Sequence, residues 1–242
     1  MPFYHQVEAE GSMLLKRISV NLFLIFFIFL LTADACAARL PKIFPFKEKN
    51  ALSEWQEKIF RGRVLYSVKA GKGTRYLRAY SENSASGIFY EIKFDPRQYP
   101  MISWQWTVLR FPAAQHELAG NAAGEHWIEK DDYAARLYVI FPRLSFNLTK
   151  CLEYVWDKDL PEGTIITSPY SGNIKLFVVE SGTDNVGKWV FAERNILEDY
   201  KKAFGKEPGR VGAIAIMTDT DNTQSTAEAN YKELKVGYKD EK

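Results

Sequence analysis

A predominantly β fold, a sandwich or a barrel, is what this sequence predicts, and three observations predict it. From Arg63 onward, short runs rich in aromatic and β-branched residues alternate with turn signals. Few segments carry a helical period. The 242 residues are 46% hydrophobic and 14% aromatic, enough for a sizeable core in a single domain.

The runs place strands at Val64 to Val68, Arg75 to Tyr80, Ile88 to Phe94, Met101 to Leu109, Tyr133 to Phe141, Ile174 to Glu180, Trp189 to Ile196, Val211 to Thr218 and Tyr231 to Val236. In "MISWQWTVL" Ile102, Trp104, Trp106 and Val108 share one face, which reads as a core stripe more simply than as a sugar-stacking platform. "IKLFVVE" and "VGAIAIM" are apolar on both faces and mark strands central to a sandwich. In "KDDYAARLYVIF" Tyr133, Leu137, Val139 and Phe141 form the core face, and Asp132, Ala134, Arg136 and Tyr138 the other. On such a strand Asp132 and Arg136 stand roughly 13 Å apart, so each needs another partner.

One helix is expected over residues 195–208, "NILEDYKKAFGKEP". Asn195 caps its start, and Gly205 followed by Pro208 stops it. A second short helix is expected over Ala51 to Phe60, where Leu52, Trp55 and Ile59 form an apolar stripe.

The N-terminus carries a targeting signal. Lys16 and Arg17 precede the apolar run Ile18 to Leu31, and small-residue sites follow at Ala33-Asp34-Ala35 and Ala35-Cys36-Ala37. That order is the order of a secretory signal peptide, and the run falls short of the roughly 20 residues that span a bilayer. Residues 1–37 therefore read as an extension with a signal peptide, with Met1 and Met13 as alternative starts, and residues 38–242 as one domain. The product is expected to be exported, periplasmic or extracellular, and off the membrane after cleavage unless Cys36 is lipidated. Ala33 stands where a lipoprotein signal usually has a large aliphatic residue. Cleavage after Ala37 leaves Cys151 without an internal disulfide partner.

Charge narrows the partners. Thirty-two Lys and Arg against thirty Asp and Glu give a formal charge of +2, which supplies no electrostatic reason to bind nucleic acid. Acids instead collect at strand ends: Asp131 and Asp132 before one strand, Glu180 at the end of another, Asp219 and Asp221 at the end of a third. If the latter two strands run antiparallel to the first, all five carboxylates share one rim and need Arg136 or Arg194, a cation or a shared proton. "DTDNT" also fits a turn in which Asp and Asn bond their own backbone. Asp219, Asp221 and Asn222 resemble part of a calcium loop, but the third acid, the glycine and the closing glutamate are missing, so a structural calcium is only a minor reading and no cofactor is assigned. His116 and His126 lack a zinc-site spacing, and neither a nucleophile elbow nor a phosphate-binding glycine loop is present.

The fragments "SASG", "DDYAARLYV", "YVW", "SPY", "VVESG", "ERNILEDYKKAFG" and "IAIMTDTDNT", in this order, resemble an uncharacterised exported bacterial family, domain of unknown function 3047. The resemblance implies an antiparallel jelly-roll-like β-sandwich, similar in outline to galactose-binding and carbohydrate-binding modules, and no established reaction. It implies Asp131, Asp132, Arg136, Glu180, Arg194, Asp219, Asp221 and Asn222 as ligand-binding candidates. The leading expectation is a binder of a polar ligand such as a cell-envelope glycan, with Trp156, Trp127 or Tyr170 as an exposed stacking aromatic. The alternatives are a glycan hydrolase using a carboxylate pair, for instance Asp132 with Glu180, and a non-catalytic structural or assembly protein.

Overall fold

The computed structural model describes residues 40–71, 73–113, 131–143 and 148–239. The expected signal peptide, Cys36, His116, His126 and Trp127 lie outside them. The described chain is an antiparallel-rich, jelly-roll-like sandwich of two sheets with one α-helix.

The strands are β1 (Lys42–Phe44), β2 (Gln56–Arg61), β3 (Leu65–Gly71), β4 (Thr74–Glu82), β5 (Ala85–Phe94), β6 (Met101–Arg110), β7 (Arg136–Phe141), β8 (Lys150–Asp157), β9 (Ile165–Ser168), β10 (Ser171–Ser181), β11 (Val190–Asn195), β12 (Val211–Asp219) and β13 (Thr226–Tyr238); α1 is Ile196–Phe204. The smaller sheet has the order β11-β6-β13-β4-β3, with β1 added beside the end of β13. The larger has the order β2-β5-β12-β7-β8-β10-β9. Its β8–β10 pair is parallel, because the β9–β10 hairpin returns the chain to the direction of β8.

Alternation fills the space between the sheets. Ile102, Trp104, Trp106 and Val108 all enter that core, opposite Leu137, Val139 and Phe141 of β7 and Tyr154 and Trp156 of β8. Trp104 stacks edge-on against Trp106 at 5.2 Å. The larger sheet buries its outer face as well: Phe89, Tyr138, Ile140, Val155, Leu176, Val178, Ala215 and Met217 form a second apolar cluster there. Strand β12, apolar from Val211 to Met217, is internal to this sheet as expected; β10 lies one strand from its edge.

Helix α1 matches its sequence signals. The Asn195 side chain accepts from the Leu197 and Glu198 amides, and Gly205 closes the helix in the left-handed region at φ 65°.

Two expectations are corrected. Residues 51–60 do not form a helix: turns lead to Trp55, and β2 follows. Trp55 is buried among Phe44, Phe46 and Tyr90, and β2, which follows it, pairs with β5, so edge pairing and aromatic burial outweigh a weak helical period. Strand β7 begins at Arg136 rather than Tyr133, so the alternation does not extend back to Tyr133, which joins the outer cluster instead of the core between the sheets.

Candidate functional site

Register explains the site. Arg136 stands beside Met217 of β12 and Val155 of β8, so all three side chains emerge on the outer face of the larger sheet. Two residues along each neighbour, on the same face, come Asp219 and Glu153. Diagonal neighbours of this kind lie within reach of a long side chain. The guanidinium spans both: Nη2 donates to Asp219 Oδ2 at 2.8 Å and Nη1 to Glu153 Oε1 at 2.9 Å. Because residues 131–135 leave the strand geometry, the Asp131 carbonyl turns back to accept from Nη2 at 2.6 Å, and the extended-strand separation between positions 132 and 136 does not apply. Tyr133 covers the guanidinium, its ring centre 4.4 Å away.

The end of β12 is tied to the segment before β7 from both directions. Asp219 Oδ1 accepts from the Tyr133 amide at 2.9 Å. Asp132 Oδ2 accepts from both the amide and the hydroxyl of Thr223 at 2.6 Å, and Oδ1 from the Asn222 amide at 3.3 Å. The β9–β10 turn arrives over the same place, where Asn222 Nδ2 donates to the Tyr170 hydroxyl at 3.1 Å.

These elements enclose a cavity of about 100 Å³. Asp131, Arg136, Glu153 and Asp219 form its polar floor, Met217, Ile174 and Tyr138 its apolar side, and the half-buried Phe60, Tyr170, Asp221 and Asn222 complete the lining.

Its electrostatics are set by burial with too few cations. Arg136, Asp131, Glu153 and Asp219 are each no more than 4% exposed. Burial pushes the Asp131 carboxyl up to about 8, with Glu153, Asp132 and Asp221 adding to the rise and Arg136 opposing it. Burial raises Asp219 and Glu153 as well, again against the pull of Arg136. Arg136 is held firmly charged: burial disfavours its cation, but Asp219, Tyr138, Asp131 and Glu153 more than offset this. Three carboxyls around one guanidinium cannot all ionise cheaply, so burial favours a proton shared among them. Asp131 Oδ1 accepts no hydrogen bond and lies 3.6 Å from Arg136 Nη2, which makes Asp131 the natural holder.

Of the eight residues named from sequence, six come together: Asp131, Asp132, Arg136, Asp219, Asp221 and Asn222. The anticipated strand directions do occur, since β12 and β10 both run opposite to β7. Glu180 nevertheless separates from the group. A register shift after Val178 sets it beside Trp156, on the side facing the other sheet, where it accepts from Asn185 Nδ2 at 3.2 Å. Arg194 also lies elsewhere, on β11, where it pairs with Asp199 of α1 beneath Tyr154. The hydrolytic pairing of Asp132 with Glu180 is thus not assembled. Trp156 is fully buried and donates to the Gly182 carbonyl, so it is no exposed platform; Tyr170 is the candidate aromatic that reaches the cavity.

Glu153, which is not among the residues named from sequence, lies on β8 in "CLEYVWD". Its signal was available: an acid that shares a face with Val155 in an otherwise apolar run needs a buried cation. Among the described residues, Asp132, Asp219 and Asp221 are the group whose oxygens converge closely enough to hold a metal.

Fold and cavity together define the class: a β-sandwich carrying a buried, acid-rich cavity on the outer face of its larger sheet. The chain belongs to the family described as protein of unknown function DUF3047, which matches residues 53–235. No curated protein matches it. Among solved structures it is similar to the glycoside hydrolase domain of Endo-D from Streptococcus pneumoniae (7% identity, TM-score 0.39, 76% of this chain and 21% of that one). It is also similar to the CBM22-1 xylan-binding domain of Xyn10C from Paenibacillus barcinonensis (16%, 0.39, 83% and 97%). A third is a cellulase derived from Cel12A of Rhodothermus marinus (9%, 0.46, 81% and 96%). The chain spans about a fifth of the first and nearly all of the other two.

Proposed function

We propose that this protein binds a hydroxyl-rich ligand of the glycan class at the outer-face cavity, in an exported, envelope-facing setting. The observation that carries the reading is the composition of the cavity, whose lining combines carboxylate acceptors and the Asn222 amide with Tyr170, Phe60 and Met217. Hydroxyls of a sugar satisfy the acceptors while its apolar ring face packs on the aromatic wall. Export is supported by the order of charge, apolar run and small residues between Lys16 and Ala37.

A structural role for the acidic floor has its own support. Arg136 is almost wholly buried and bonded to protein groups on several sides, the pattern of an internal network. The two readings differ at the mouth rather than at the floor, because neither Tyr170 nor Asn222 bonds the Arg136 guanidinium itself, although Asn222 Nδ2 reaches the Asp131 carbonyl that Arg136 also engages. Melting and calorimetry with a panel of envelope glycans test them. A glycan that raises the melting temperature of the wild type, and loses that effect in Tyr170→Ala and Asn222→Ala, supports the binding reading. Absence of binding across the panel, with Arg136 variants simply melting lower, favours the structural one.

A further inference from the structure

The outer face of the smaller sheet hides polar groups where a sheet face ordinarily leaves them to water. Trp106 and Val108 of β6 and Ala229 and Tyr231 of β13 enter the core, so Thr107 and Asn230, opposite each other in the register, point outward. They are nonetheless only 3% and 4% exposed, and Thr107 Oγ1 and Asn230 Oδ1 have no hydrogen-bond partner among the described residues. Arg78, beside Asn230 on β4, is committed to Glu228 at 2.6 Å. The cover over the pair is aromatic. Trp189, one residue before β11, continues the β11–β6 register to a place beside Thr107. Its ring meets that of Tyr76 on β4 at 5.7 Å, although β6 and β13 lie between their strands. Lys232 Nζ stands 4.3 Å from the centre of the Trp189 ring, and two residues beyond Trp189 on the same face Phe191 is 63% exposed.

We propose that this face is a second binding site, for a neutral saccharide chain, with Trp189 as its stacking ring and Thr107 and Asn230 as the groups its hydroxyls satisfy. A buried polar atom without a partner is a cost to the fold that a bound ligand removes. The ligand must donate to the Asn230 carbonyl and exchange a hydrogen bond with the Thr107 hydroxyl, which is both donor and acceptor. It must also be flat and apolar enough to lie against an indole. A pyranose unit meets both demands, with hydroxyls at its edge and C–H groups on its faces. An apolar peptide face would leave Thr107 and Asn230 unsatisfied, and for an anion the guanidinium beside them is already neutralised by Glu228. The sugar enters as the Trp189 ring turns away from Tyr76, a side-chain rotation that leaves the sheet unchanged. Phe191, roughly 7 Å farther along the chain, extends the platform to a second unit. This site lies on the other sheet from the acidic cavity and does not rest on the reading given for that cavity.

The test titrates the purified protein, as the cell processes it, with cellohexaose, xylohexaose, mannohexaose and chitohexaose in a calorimeter, with melts in parallel. At least one is expected to bind, to keep binding in Tyr170→Ala, whose change lies in the cavity, and to bind about tenfold more weakly in Trp189→Ala. Thr107→Val distinguishes a ligand-binding hydroxyl from a structural one. It keeps the side-chain shape and removes a buried unpartnered group, so the melting temperature without sugar is expected to hold or rise while affinity falls about tenfold. A Thr107→Val variant that melts lower without sugar would mean that the hydroxyl already serves the fold, through a trapped water for instance, and would overturn the proposal. So would an absence of heat with all four sugars. Binding lost in Tyr170→Ala and kept in Trp189→Ala would also overturn it, by placing the sugar in the cavity alone.

Discussion

Arg136 Nη2 lies 2.8 Å from Asp219 Oδ2, joining the first residue of β7 to the last residue of β12 on the outer face of the larger sheet. The same guanidinium reaches Glu153 in the middle of β8, so one side chain ties three adjacent strands together. Removing a single partner from such a group is costly because the others are left buried and uncompensated.

Arg136→Met preserves most of the side-chain length and removes the charge. We expect a loss of about 3–5 kcal/mol, which for a domain of this size lowers the melting temperature on the order of 10 °C. Urea titration read by tryptophan fluorescence measures it. A variant within about 0.5 kcal/mol of the wild type would mean that the three carboxyls do not depend on Arg136.

Stability should fall as pH rises from about 4 to about 8. The folded-state value for Asp131 is raised from 3.8 to about 8, chiefly by burial. Its protonated form is therefore favoured by folding: the contribution is fully present below the unfolded value and is lost as pH climbs through about 8. Glu153 and Asp219 shift in the same direction and add to the slope. Asp131→Asn, which mimics the neutral acid, should flatten the profile. A melting temperature that climbs between pH 6 and pH 9 would contradict the assignment.

Gly212→Ala should destabilise the sandwich without touching the site. A Cβ at this position of β12 would lie 2.5 Å from Pro142 Cγ and 2.7 Å from Cδ, and a proline ring has little freedom to withdraw. A cost of about 1–3 kcal/mol is expected. Because Gly212 sits at the end of β12 remote from Asp219, any glycan response of the variant should match the wild type.

Glu180→Ala and Arg194→Ala separate the two residues that leave the cavity from the six that gather there. Glu180 is half-buried and accepts a hydrogen bond from Asn185, so its loss should stay within about 0.5 kcal/mol. Arg194→Ala leaves Asp199 buried with only the Tyr154 hydroxyl and should cost about 1–3 kcal/mol. Neither should alter a glycan response. A lost response in Glu180→Ala would bring Glu180 back into the site.

The sequence by itself determined the strands with clean alternation or continuous apolar runs, the capped helix at Asn195, and the acids placed where those strands end. Each of these is a local property: a period, a cap or a short polar cluster can be read within ten residues. Only the tertiary structure decided which acids share a cavity. That depended on the parallel β8–β10 pairing, on a one-residue register shift that turned Glu180 to the other face, and on the β9–β10 turn that delivered Tyr170. Strand neighbours and register are fixed by contacts between residues far apart in the chain, and a shift of one residue moves a side chain through the sheet. The burial of Trp55 was settled in the same way, by aromatic partners on strands that no local pattern brings together.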